Sequence, residues 1–99
     1  MNFEISFLPD AQEHLARFSA RDQTFLLDEI DRQLLYEPDR QTRNRKPLGP
    51  NELATWELRV GKFRVFYDIE TAETMVAIIA LGLKGRNRLL IGDKEYHLK

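Results

Sequence analysis

Trp56-Glu57-Leu58-Arg59-Val60-Gly61-Lys62-Phe63-Arg64-Val65-Phe66-Tyr67 is the stretch that decides the fold. Trp56, Leu58 and Val60 alternate with Glu57 and Arg59, the period of two that sends apolar side chains to one face of a strand and charged ones to the other. Gly61-Lys62 breaks the alternation as a two-residue turn, and Phe63 to Ile69 runs back as the partner strand. A tight antiparallel hairpin is predicted. After a turn at Thr71 to Thr74, Met75 to Leu81 is apolar without alternation, as for a strand covered on both faces in the middle of a sheet. Beyond Gly82, the residues Leu89, Leu90 and Ile91, then Tyr96 and Leu98, allow a last short strand pair turning at Gly92-Asp93.

Upstream, Asn2 to Leu8 also alternates, with Phe3, Ile5 and Phe7 on one side. Pro9 ends that strand and suits the first turn of a helix. From Asp10 to Phe18, Ala11, Leu15 and Phe18 fall on one stripe, and Asp10 and Glu13 stand in the first turns, where the helix dipole favours acids. A longer helix follows, with Asp22 as a possible N-cap, a stripe of Leu26, Leu27, Ile30, Leu34 and Leu35, and a stop at Glu37-Pro38. Residues 39–53 hold Pro47, Gly49 and Pro50 among Arg40, Arg43, Arg45 and Lys46, and read as a basic surface loop. The sequence thus predicts one α+β domain over 1–99: an N-terminal strand, a two-helix hairpin, and an antiparallel meander of three or more strands.

A chain of 99 residues with 42% apolar content can hold one core. With no cysteine, and with its two histidines, His14 and His97, far apart, neither thiol chemistry nor a metal or cofactor site is expected. The first residues lack a basic segment followed by a long apolar one, and the longest apolar run, Met75 to Leu81, is too short to span a bilayer, so a cytoplasmic protein without a membrane partner is expected. The net charge of −1 hides an asymmetry. Residues 1–39 carry three Arg against nine Asp and Glu, whereas residues 40–67 carry seven Lys and Arg against Glu52 and Glu57 alone.

Specific residues then match a known family. Lys46-Pro47-Leu48-Gly49, Trp56-Glu57-Leu58-Arg59-Val60, Phe63-Arg64-Val65-Phe66-Tyr67 and Ile79-Ala80-Leu81-Gly82-Leu83-Lys84, in that order after a strand and two helices, resemble the RelE/ParE superfamily of toxins from type II toxin–antitoxin systems. The resemblance covers almost the whole chain and implies a RelE-like fold. In the RelE branch it implies a metal-independent, ribosome-associated endoribonuclease that inhibits translation by cutting mRNA. In the ParE branch it implies a non-catalytic toxin that inhibits DNA gyrase. A third possibility is an inactive toxin homologue serving as co-repressor with its antitoxin. Fold alone does not choose among them. The implied partners are a RelB-like antitoxin, the ribosome and mRNA, with operator DNA reached only through the antitoxin.

Cutting RNA without a metal requires activating the 2′-OH, holding the charge that builds on phosphate, and protonating the leaving 5′ oxygen. By the resemblance, Arg64 stands where RelE-type toxins carry a phosphate-binding arginine; otherwise it is an exposed strand arginine paired with Glu57. Glu57 and Arg59 leave the same strand face and correspond to two lysines of the branch, so Arg59 keeps the charge and Glu57 reverses it. Glu57 is either a general base or half of a surface ion pair. Lys84 matches a second active-site arginine, and Lys84, Arg86 and Arg88 would share one face of an extended backbone, or else blunt an edge strand. The family's C-terminal proton carrier falls at Leu90, which leaves Tyr96 and His97 as candidates. Arg40, Arg43, Arg45 and Lys46 resemble the basic loop that rests on ribosomal RNA. Trp56, Phe63 and Tyr67 are assigned to the core rather than to base stacking.

Overall fold

The hairpin is formed by β3 (Trp56–Val60) and β4 (Phe63–Glu70), with Val60 paired to Phe63 and Arg59 to Arg64. Gly61 has φ of +56°, a conformation open to glycine at little cost, at the first of the two loop residues. The structure is a computed structural model and describes residues 2–96. The chain runs β1 (Glu4–Phe7), α1 (Pro9–Ala16), α2 (Ala20–Leu34), β2 (Arg45–Pro47), β3, β4, a short 3₁₀ turn (Thr71–Glu73), β5 (Met75–Gly85), β6 (Arg88–Ile91) and β7 (Lys94–Tyr96). The strands make one sheet in the order β2-β3-β4-β5-β6-β7, antiparallel throughout, and β1 adds to β5 in parallel. The predicted strand, helical hairpin and antiparallel meander are all present.

β5 is the spine. Along one edge it pairs with β4; along the other it pairs first with β1, at Met75–Ile78, and then with β6, at Gly82–Gly85. Its lack of alternation has a second cause besides burial. Phe66 faces Ala80 and Tyr67 faces Ile78, so Ile79 is an extra residue that shifts the phase of the strand. Before the bulge, Val76 and Ile78 point to the helices; after it Leu81 does, which leaves Gly82 and Lys84 on the opposite face.

The helices cover one face. Leu26, Ile30 and Leu34, one stripe of α2, are fully buried with Ala11 of α1 against Leu58, Val65, Tyr67, Val76, Ile78 and Leu81. Each such buried leucine contributes about 2 kcal/mol. Ser19, not Asp22, caps α2: the Ser19 Oγ accepts the Asp22 N–H at 3.1 Å, and Asp22 sits in the first turn. The opposite face carries a smaller core of Ala54, Phe66, Ala80, Leu89 and Ile91 with Leu48 and Leu53 over it. Residues 39–53 are not wholly a surface loop. Arg45–Pro47 pairs with β3 and extends the sheet, in a strand too short to show a periodic pattern. Among the described residues, no helix is long and apolar enough to cross a membrane.

Candidate functional site

Strand alternation places Glu57 and Arg59 of β3, and Arg64 of β4, on the face away from the helices. Lys46 of β2, Lys84 of β5, Leu89 of β6 and Tyr96 of β7 join them, and together they line an open cleft of about 630 Å³ walled by Pro47, Leu48 and Gly49. The bulge at Ile79 is what turns Lys84 to this side. Lys46, Arg59, Arg64 and Lys84 face one acid, Glu57, and none of residues 1–39 lines the cleft. The acidic and basic parts of the chain are segregated here, as a polyanion ligand requires.

Arg64 is not the exposed strand residue that an outward position implies. It is 9% exposed, and its Nη1 donates to the Gly61 carbonyl at 2.7 Å and to that of Phe63 at 2.8 Å. Burial, and then the charge of Arg59, lower its pKa from the usual arginine value, with Glu57 offsetting part of the effect. The guanidinium nonetheless stays protonated. Arg59 lies directly across the ladder from it. Like charges facing each other across a ladder are destabilising, and an anion bound between them would reverse the sign of that interaction.

Glu57 pairs with Lys46 rather than Arg64: the Lys46 Nζ stands 3.8 Å from the Glu57 Oε1, with the carboxylate side chain 13% exposed. That spacing is charge attraction without a hydrogen bond. Tyr96 sits opposite Leu89 in the ladder and reaches the cleft. His97 lies outside the described residues.

Other candidates are placed elsewhere. Arg86 and Asn87 form the β5–β6 turn, so Lys84, Arg86 and Arg88 do not share one extended face. Arg86 and Arg88 line a second groove with Lys62, Leu83 and Leu90, and Lys84 borders that groove as well as the cleft, so the three cations meet at one groove although the turn breaks the extended row; Arg88 Nε lies 3.4 Å from Glu95 Oε1. Arg40 pairs with Glu37 at 3.6 Å, and Arg43 is exposed away from the cleft. Arg45 turns inward, 9% exposed: its Nη1 donates to the Gln33 and Glu37 carbonyls at 2.9 Å each, fastening the end of α2. A cation near the last carbonyls of a helix is well placed. Trp56 is partly buried and stacked on Tyr67, and Phe63 and Tyr67 belong to the core.

Two residues carry no expectation from the sequence. Asn87 lines the cleft beside Lys84. His14, on α1, accepts the Leu81 N–H at its Nδ1 at 3.2 Å, filling the edge of β5 between β1 and β6. Among the described residues no three His, Asp or Glu side chains are grouped as metal ligands.

The family model of the ParE toxin of type II toxin–antitoxin systems, parDE, matches residues 5–88. Among solved structures, the toxin–antitoxin complex RelBE2 from Mycobacterium tuberculosis contains a chain 23% identical, covering 87% of this chain and 95% of that one, with a TM-score of 0.75. The RelE–RelB complex of Pyrococcus horikoshii OT3 gives 22% identity, coverage of 87% and 99%, and a TM-score of 0.68. The intact RelBE complex of E. coli gives 17%, 85% and 99%, and 0.66. No curated protein matches the chain at a significant level.

Proposed function

We propose, from the premise that this chain belongs to the ParE toxin family of type II toxin–antitoxin systems, that its open cleft cuts mRNA on the ribosome without a metal and so inhibits translation. The carrying observation is the convergence of Arg59, Arg64, Lys46 and Lys84 on one cleft that also holds a carboxylate and a phenol. In the reaction, Glu57 takes the proton of the 2′-OH, and O2′ attacks the adjacent phosphorus. Arg64 and Arg59 hold the nonbridging oxygens as charge builds on them. The P–O5′ bond breaks, Tyr96 gives the 5′ oxygen a proton, and the products are a 2′,3′-cyclic phosphate and a 5′-hydroxyl. Lys84 lies on the same side and balances the leaving oxygen's charge until it is protonated.

A RelB-like antitoxin is the proposed partner, consistent with three similar folds having been solved within RelB–RelE complexes. A basic cleft suits an acidic, partly apolar segment that folds as it binds. The chain alone should arrest growth of a bacterial host, and the antitoxin should relieve the arrest. Primer extension on a translated message incubated with the purified chain tests the reading: new ends within codons are expected, and an intact message overturns it. A second reading, gyrase inhibition, is favoured by the ParE description of the matching family and by Glu57, whose charge is opposite to the lysine it corresponds to. Inhibited supercoiling with mRNA left whole would establish that alternative.

A further inference from the structure

One wall of the cleft, Pro47 to Gly49, runs into a segment without regular structure. Between β2 and β3 the chain closes where the Leu48 N–H donates to the Thr55 carbonyl at 2.9 Å. Inside that closure, among the described residues, no main-chain group of 49–54 bonds to another main-chain group. Pro50 has no N–H to donate at all. A loop of this kind opens readily unless side chains hold it.

One side chain does so. The Asn51 Oδ1 accepts the Leu53 N–H at 2.6 Å and the Ala54 N–H at 3.0 Å, and its Nδ2 donates to the Gly49 carbonyl at 2.7 Å and to the Ala54 carbonyl at 3.0 Å. Asparagine is short and carries an acceptor oxygen and two donor hydrogens together, so it can bond to both sides of a bend at once. The far end of the loop is pinned separately: the N–H and Oγ1 of Thr55 both donate to the Asp68 Oδ1 of β4, at 2.7 and 2.8 Å. With both ends fixed, Asn51 sets the path between them. That path carries Leu48 and Leu53 over the small core and Pro47, Leu48 and Gly49 along the cleft that Arg59, Arg64 and Lys84 line. Asn51 itself does not line the cleft.

We infer, on the basis of the mRNA-cleavage reading above, that Asn51 is a positioning residue for message binding: it closes the loop from inside and so fixes the wall against which the RNA chain is held. A wall that touches the chain equally before and in the transition state contributes uniform binding, so its loss raises KM and leaves kcat in place. Tyr96 is held by its own pairing with Leu89, which keeps proton donation independent of the loop.

The test compares Asn51→Ala, Asn51→Ser and Arg45→Ala with the parent on ribosome-bound message. Asn51→Ala removes all four bonds and should raise KM about tenfold with kcat within about twofold. Asn51→Ser keeps an oxygen able to accept the Leu53 or Ala54 N–H and should recover part of the loss; it carries the same comparison if Asn51→Ala does not fold. Arg45→Ala weakens the fold elsewhere and should leave KM unchanged, which separates positioning from a general loss of stability. Hydrogen exchange at the Leu53 and Ala54 amides should quicken about tenfold in Asn51→Ala, while Leu58 and Val65, paired in the β3–β4 ladder, stay protected. Parental KM in a folded Asn51 variant, a fall in kcat at unchanged KM, or unchanged exchange at Leu53 and Ala54 overturns this inference and leaves the cleavage reading standing. A parent that leaves every message whole overturns both.

Discussion

Arg45, at the end of α2, and Arg64, in the cleft, are each 9% exposed, and each donates to two main-chain carbonyls. They differ in which carbonyls. Arg45 reaches Gln33 and Glu37, and its Nε reaches the Thr42 Oγ1, so one guanidinium ties a helix end to a strand and a loop. Arg64 bonds only within its own hairpin, through Nη1. Its Nε and Nη2 have no partner among the described residues and remain accessible to solvent. Burial alone does not separate the two arginines; a fork held from behind with unused donors in a cationic cleft is what the proposed phosphate-holding role of Arg64 needs.

The largest effect expected from this contrast is on rate. Arg64→Ala should raise the barrier to mRNA cleavage by about 3 kcal/mol, roughly a hundredfold, as when one preorganised oxyanion donor is removed. Its local bonds carry little tertiary structure, so the urea midpoint should move by no more than about 1 kcal/mol in stability. Arg64→Lys should recover part of the rate only, because a point charge lacks the fork. Single-turnover cleavage measured beside urea unfolding checks both halves, and a folded Arg64→Ala chain that cuts as fast as the parent makes Arg64 another Arg45.

Arg45→Ala should show the reverse pattern. Removing the side chain takes a donor from the Gln33 carbonyl and one of two from the Glu37 carbonyl, which keeps the Arg40 N–H at 3.0 Å, at a cost of about 2 kcal/mol in stability by urea titration. Cleavage per folded molecule should stay within about twofold of the parent. Tyr67→Phe probes the same region more gently. The Tyr67 hydroxyl, fully buried, donates to the Pro38 carbonyl at 2.9 Å, and burial pushes its pKa up, so it remains a neutral donor. Its loss should cost about 1 kcal/mol, equally at pH 6 and pH 9.

The contrast also shows what a sequence can carry. The hairpin and the two helices were legible because each repeats with its own period over several residues, and the terminal strand pair because apolar residues flank the turn at Gly92-Asp93. Arg59 and Arg64 were legible as sharing a face because alternation fixes the face once the hairpin is known, whereas Lys46 was expected on a basic surface loop and Tyr96 was named only through the family resemblance. The role of Arg45 was not legible, because nothing in Arg40 to Lys46 distinguishes a cation that turns inward in a three-residue strand from its exposed neighbours. The extended row of Lys84, Arg86 and Arg88 is broken for a related reason, although the three still border one groove: the turn at Arg86-Asn87 has no glycine or proline within it to announce it, only an asparagine able to take positive φ. The bulge at Ile79 was hidden as well, since a strand buried on both faces shows no phase to shift.

The smallest expected effect distinguishes an arginine tie from a histidine one. Arg45 satisfies carbonyls with a group that stays charged at all ordinary pH, whereas His14 satisfies an N–H, that of Leu81, and must be neutral at Nδ1 to do so. Burial lowers the His14 pKa from 6.5, and Arg17 lowers it further, while Asp10 and Glu13 on the same helix pull the other way. Asp93 of the β6–β7 turn and Lys94, the first residue of β7, line a recess shared with it. Because the folded pKa lies below the unfolded one, this contribution to stability is present above pH 6.5 and is lost as pH falls through the folded value. His14→Asn sets an amide oxygen near the Nδ1 position, so it can accept the same N–H without titrating. The variant should match the parent at pH 8 to within about 0.5 kcal/mol and lose less stability than the parent between pH 7 and pH 5, whereas His14→Ala should cost about 1 kcal/mol at pH 8. Thermal unfolding at both pH values, parent against His14→Asn, isolates this one group from the carboxylates that titrate in both chains. Parallel curves for the two would mean that the Leu81 N–H is held in the gap between β1 and β6 without the imidazole.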